Sequence, residues 1–205
     1  MRVSVPVRRR RFLNRFAGAV LAGIAGPALL AACDGGKKLS FQGVDVTGAE
    51  FARGFSLRDT EGTVRTLADF RGKAVVVFFG YTQCPDVCPT TLSEIVEVRR
   101  QLGADGVRVQ AVFVTVDPAR DTAPVLRAYM QNFDPSFVAL VPTPEELAVV
   151  AKEFRIFYRK ADGKTPTSYT MDHSAGAYVF DPQGRVRVFT TYGKGAQPLL
   201  EDVRT

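Results

Sequence analysis

Two cysteines and one histidine are the residues of this chain best suited to chemistry at a single point. Cys84 and Cys88 stand four residues apart in the stretch Gly80 to Leu92, GYTQCPDVCPTTL, directly after a strongly apolar run. His173, the only histidine, lies beside Asp172 in TMDHSAGAYVF. Thiolates select Cu(I), and an imidazole keeps such a site competent for Cu(II) and zinc. Structural zinc usually closes with four ligands, and the only cysteine left over is Cys33. Three ligands suit a site that must release its metal. The thiols alone leave other uses open: a structural disulfide, a redox cycle or simple burial. Their C-x-x-x-C spacing is one residue wider than the C-x-x-C of thioredoxin-type redox motifs.

The compartment bears on these alternatives. Arg8 to Arg11 form a basic block, and a 17-residue Ala/Gly-rich run, FAGAVLAGIAGPALLAA, leads to Cys33. This is the layout of a secretory signal over residues 1–32, and the run is short for a membrane span, which wants about 20 apolar residues. Leu30-Ala31-Ala32-Cys33 resembles a bacterial lipobox, with Cys33 as the lipidated residue. Arg9 to Leu13 resembles a twin-arginine export signal, and Asp34 resembles an inner-membrane retention signal. These features predict a lipid-anchored protein on the periplasmic face of a bacterial inner membrane. There, two lone thiols form a disulfide unless something keeps them reduced or occupied.

The signal also accounts for the charge. The chain carries a formal +6, but six of its 27 basic residues and none of its 21 acidic ones precede Cys33. The mature part is neutral, so nothing points to nucleic acid.

Residues 33–50 are polar and Gly-rich and read as a tether, leaving residues 51–205 as one domain. Phe55 to Leu57 and Thr63 to Leu67 predict an N-terminal β-hairpin. Lys73 to Gly80 and Val107 to Val116 are apolar runs of the kind found in strands covered on both faces. Helices are expected at Pro89 to Leu102, from Asp121 or Thr122 to Phe133, and from the capping box Thr143-Pro144-Glu145-Glu146 to Phe154. Phe137 to Leu140 is a short strand, and Arg159 to Asp172 reads as a long polar loop. A hairpin, Ala175 to Phe180 with Arg185 to Thr190, and a helix over Gln197 to Val203 close the chain. This order predicts an α/β, thioredoxin-like fold, a mixed central β-sheet flanked by helices. The Cys84 to Cys88 loop then falls at the C-terminal edge of the sheet, where α/β sites gather. Pro89 confines Cys84 to the cap or before it and Cys88 to the first turn, where helix N–H groups favour thiolate.

GYTQCPDVCPTTL, VTVDPARDT (Val114 to Thr122) and DHS (Asp172 to Ser174) together resemble the signature blocks of the Sco/SenC family over about residues 50 to 195. These are membrane-anchored, thioredoxin-like copper proteins that serve cytochrome c oxidase assembly. The resemblance implies Cu(I) or Cu(II) on Cys84, Cys88 and His173. It implies delivery to the dinuclear copper centre of oxidase subunit II, with periplasmic copper carriers or thiol reductants as further partners. Asp86 and Asp117 match acidic family positions that could tune the site or cap turns; Asp121 reads as a helix cap. The chain departs from the family's common pattern in its lipid anchor and its short last helix. A different class of reading is a thiol–disulfide oxidoreductase, with Cys84 and Cys88 as its catalytic pair acting on the oxidase cysteines. A peroxidase-like site would need Thr82 and Arg120 at the sulfur, which no spacing places there.

Overall fold

The computed structural model describes residues 39–163 and 168–205. The expected signal over 1–32 and Cys33 itself therefore lie outside the described residues.

Six strands form the main sheet. At its centre, β4 (Ala74–Gly80) runs parallel to β5 (Val109–Thr115), in register from Ala74 opposite Val109 to Gly80 opposite Thr115. Every residue of β5 is buried, as its apolar sequence requires of a strand covered on both faces. Beyond β5 lies the parallel β6 (Val138–Leu140). On the other side, β9 (Gly176–Phe180), β10 (Val186–Thr191) and β1 (Val44–Asp45) follow, each antiparallel to its neighbour. The expected N-terminal hairpin is a separate pair, β2 (Ser56–Arg58) with β3 (Val64–Thr66). The arrangement is the thioredoxin-like α/β fold that the element order predicts.

Helices cover both faces. Helix α1 (Val87–Leu102) buries Cys88, Leu92, Ile95 and Val98. It lies on the face to which Gly80 and Phe113 point, since a Cβ at Gly80 would meet both the Cys88 sulfur and the Phe113 ring. Helix α2 (Ala123–Gln131) approaches the same face through Tyr129, whose ring centroid is 6.2 Å from that of Phe113. Helix α4 (Ala196–Arg204) packs on α1. The opposite face carries an aromatic cluster in which Phe154 meets Phe79, Tyr178 and Phe180. Phe154 directly follows α3 (Pro144–Glu153), whose start is the expected capping box: Glu146 N–H donates to Thr143 Oγ1 at 3.2 Å, and Thr143 N–H to Glu146 Oε2 at 2.8 Å.

Three expectations need correction. The described part of the segment read as a tether does not hang free. Gln42 and Gly43 donate backbone N–H groups to the buried Asp202 carboxylate at 2.6 and 3.1 Å, and Val44 and Asp45 pair with Phe189 and Val188. Glycine is needed at position 43, where a Cβ would collide with Val188 and stand 2.9 Å from the Phe189 carbonyl oxygen.

The polar loop expected over Arg159 to Asp172 is largely a hairpin. Strand β7 (Tyr158–Asp162) pairs antiparallel with β8 (Tyr169–His173), Tyr158 opposite His173; residues 164–167 at its tip lie outside the described residues. Few of its side chains are apolar, so the pattern carries little strand signal.

Asp121, read as a helix cap, does not cap α2. Thr122 takes the cap position, and Asp121 is fully buried beneath the cysteine loop.

Candidate metal centre

The cysteine loop begins where β4 ends at Gly80 and closes where α1 starts at Val87. Pro89 sits in the first turn, where its missing N–H leaves no bond unmade. Cys88 is in that turn, fully buried; Cys84 precedes the helix, and its N–H donates to the Tyr81 carbonyl at 3.2 Å. Two helical residues four apart would project about 40° from one another. Here the turn, rather than the helix, brings the sulfurs together.

The third member arrives from the far end of the chain. His173 ends β8, and its Nε2 lies 3.9 Å from Cys88 Sγ. The ligand atoms of Cys84, Cys88 and His173 all fall within 4.8 Å of one another. His173 Nδ1 is 3.0 Å from the Ser174 carbonyl oxygen. A carbonyl only accepts, so Nδ1 carries the proton and Nε2 turns a lone pair to the sulfurs, as metal-ligating histidines are usually held. The Tyr81 ring meets the imidazole edge-on, centroids 5.9 Å apart. Both cysteines are free thiols.

The two thiols are electrostatically unlike. Donation from Cys88 holds the Cys84 thiol well below its ordinary range, against the opposing effect of burial, with help from the backbone N–H groups of Asp86 and Cys88. Cys88 moves the opposite way, because it is the donor to Cys84, lies deeply buried and faces the Cys84 thiolate. Two sulfurs and an imidazole nitrogen converging on one point form a set suited to a soft cation.

Beneath the loop, Asp121 accepts from Thr82 N–H at 3.0 Å, from Thr82 Oγ1 at 2.6 Å and from Thr115 Oγ1 at 2.6 Å. It ties the turn after β4 to the end of β5. Asp117 is also buried; it pairs with Arg120 and accepts from the Tyr169 hydroxyl at 2.9 Å. Asp86 is exposed at the start of α1 and accepts from the Thr90 hydroxyl. Asp172 points outward on β8 and pairs with Arg159 at 2.9 Å, so its place next to His173 does not bring its carboxylate to the sulfurs. Thr82 and Arg120 serve these supporting contacts, not the peroxidatic arrangement considered from sequence. Gly80, Tyr81 and Tyr169 escaped the sequence reading. Gly80 and Tyr81 flank the motif and give a weak signal; Tyr169 gives none.

Comparison with known proteins bears on the family and the fold. The SCO1/SenC family model matches residues 45–205. The mitochondrial SCO2 homologue of Bos taurus is 39% identical over 152 residues, which cover 73% of this chain and 57% of that protein. The chain thus matches little more than half the length of that relative. ScoI of Bradyrhizobium japonicum, solved with copper bound, superposes with a TM-score of 0.66 at 39% identity, over 74% of this chain and 96% of its own. Apo Sco1 of Thermus thermophilus gives a TM-score of 0.70 at 34% identity, over 82% and 97%. The extent of the family match, joined to a Cys84, Cys88 and His173 cluster in one thioredoxin-like domain, makes this chain a member of the SCO1/SenC family.

Proposed function

We propose that this chain is a copper chaperone of cytochrome c oxidase assembly. It holds Cu(I) or Cu(II) on Cys84, Cys88 and His173 and serves the dinuclear copper centre of oxidase subunit II. The convergence of those three ligand atoms within 4.8 Å carries the reading. In this proposal Cys33 bears a lipid that keeps the domain at the periplasmic face of the inner membrane, within reach of the oxidase and of other copper carriers. Copper supplies the cargo. The chain supplies two sulfurs of different basicity and a fixed imidazole, so the metal binds without a rigid four-ligand cage that would trap it.

The test is anaerobic Cu(I) titration of the reduced full chain against a chromophoric competitor. One copper per chain is expected, abolished in Cys84→Ser and Cys88→Ser and weakened in His173→Ala. Copper binding that is absent, or unaffected by these substitutions, would overturn the reading.

One observation favours a second activity. An attacking thiol with a lowered pKa beside a buried partner is the layout of a disulfide reductase. Cys84 thiolate would attack a substrate disulfide and expel one substrate thiolate. Cys88 would then displace the other, leaving a Cys84–Cys88 disulfide for a periplasmic thiol reductant to reset. Two substrate thiols released per chain oxidised, from a peptide carrying the subunit II copper-centre cysteines as a disulfide, would establish it.

A further inference from the structure

We propose that Arg120 is a positioning residue for the metal site, a clamp that sets the His173-bearing hairpin against the cysteine loop. This rests on the copper reading above.

Three separate chain segments meet on one guanidinium. From its own segment Arg120 pairs with the buried Asp117. Its Nη1 donates to Gln83 Oε1, next to Cys84, and to the Tyr169 carbonyl at the start of β8, both at 2.9 Å. Its Cζ lies 3.5 Å from the centroid of the Tyr169 ring and 5.7 Å from that of Tyr81. Tyr169 returns to the same anchor by donating its hydroxyl to Asp117 at 2.9 Å.

The side chain is largely buried, and its Nη2 has no hydrogen-bond partner among the described residues. A buried, partly unpaired cation is costly away from its carboxylate and its aromatic faces, so the guanidinium has one favourable seat. Strand β8 runs from Tyr169 to His173, with Tyr169, Met171 and His173 on its inward side. Fixing Tyr169 fixes the root of the strand that ends at His173. The hairpin is a two-stranded sheet outside the main one. Such a pair is marginally stable by itself, so the imbalance falls to the clamp. Lysine cannot replace it, because only the planar guanidinium stacks and donates in several directions at once.

The experiment uses the full chain and compares Arg120→Ala, Arg120→Lys, Tyr169→Phe, His173→Ala and Arg120→Ala/His173→Ala. The readouts are copper affinity, the Cu(II) absorption spectrum and, in the apo protein, amide hydrogen exchange. Arg120→Ala and Arg120→Lys are expected to weaken copper about 10- to 100-fold, as loss of a ligand-orienting contact does, and to shift the spectrum toward that of His173→Ala. The double variant should bind no more weakly than His173→Ala, since the imidazole can be lost only once. Exchange should quicken at Thr170 to Ser174 and stay unchanged in β4 and β5. Tyr169→Phe, which removes only a hydroxyl, should move the same way by less and serves if the Arg120 variants do not fold. Wild-type affinity in Arg120→Ala, or an Arg120→Ala loss that persists in full on top of His173→Ala, overturns the clamp. If the wild-type chain binds no copper, the chaperone reading falls, and hydrogen exchange at β8 alone decides the clamp.

Discussion

Cys88 Sγ and His173 Nε2 face one another at 3.9 Å across 85 residues of chain. Each is fixed by a different device. The sulfur is locked by burial in the first turn of α1, against a strand end with no side chain. The imidazole stands at the end of a small hairpin, oriented by the Ser174 carbonyl and the edge of Tyr81. One wall of the site belongs to the rigid sheet, and the other to a two-stranded arm.

The unlike thiols predict unlike chemistry in the reduced apo protein. An ordinary thiol of pKa about 8.5 is almost wholly protonated at pH 6, and its alkylation slows roughly 10-fold for each pH unit below that value. Cys84, held low by the Cys88 donor, should remain thiolate as pH falls. Its reaction with iodoacetamide should change less than about 3-fold between pH 8 and pH 6. Cys88, raised and buried, should react only after unfolding. Peptide mapping after timed labelling gives both rates. A Cys84 rate that falls with the slope of an ordinary thiol, or first labelling at Cys88, contradicts the assignment.

Gly80 predicts a packing effect that reaches the metal site. A Cβ there would overlap Cys88 Sγ and stand 2.9 Å from Phe113 Cε2, and both neighbours are fully buried. Gly80→Ala should therefore destabilise by about 1 to 3 kcal/mol, as overpacking does, and weaken copper by displacing one sulfur. Denaturant unfolding and copper competition on one sample test both. A stable variant with unchanged affinity would mean that α1 can shift freely, contrary to the buried seat of Cys88.

Much of this was legible in the sequence because the apolar runs Lys73 to Gly80 and Val107 to Val116 have few ways to be buried. They are β4 and β5, and the loop between β4 and α1 fell where expected. The clustering of Cys84, Cys88 and His173 was legible from chemistry alone, since they are among the chain's few donors suited to a soft cation. What holds the trio was not. The β7–β8 hairpin has a half-exposed, largely polar sequence, and its pairing is stabilised by contacts from distant segments such as Arg120 on Tyr169. Asp121 has the local sequence of a cap, yet its partners Thr82 and Thr115 are set by the sheet. Tertiary partners of this kind leave no periodic trace.

Tyr129 predicts a substitution that helps. Its hydroxyl is buried and has no hydrogen-bond partner among the described residues. Burial pushes its phenol pKa up, with a further push from the nearby thiols. An unpaired buried hydroxyl costs desolvation and returns little. Tyr129→Phe keeps the ring contacts with Phe113 and Phe133 and should stabilise the fold by about 1 kcal/mol, with copper affinity unchanged. Thermal unfolding of the apo and copper-loaded forms checks this. A loss of copper affinity would show instead that the hydroxyl serves the sulfurs.

Asp121 separates the roles of shape and charge under the cysteine loop. Removing the carboxylate in Asp121→Ala leaves the Thr82 N–H and the two threonine hydroxyls without their acceptor. At about 1 to 3 kcal/mol for each unsatisfied buried group, the cost should be about 3 kcal/mol or more. Asp121→Asn keeps the volume and an acceptor, and should cost about 1 kcal/mol or less at neutral pH. The charge itself works against the fold, because burial raises the carboxyl's pKa in the native state above its unfolded value. The native state then holds this proton more tightly. The group's contribution is most favourable below the unfolded pKa of about 3.9 and declines as pH rises through the native one. Relative to Asp121→Asn, wild type should therefore gain stability as pH is lowered from 7 toward 4. Urea unfolding of both proteins across that range measures the difference, in which other titrating groups largely cancel. If wild type instead gains on the asparagine variant as pH rises, the buried carboxylate is stabilised by its three donor groups more than burial opposes it.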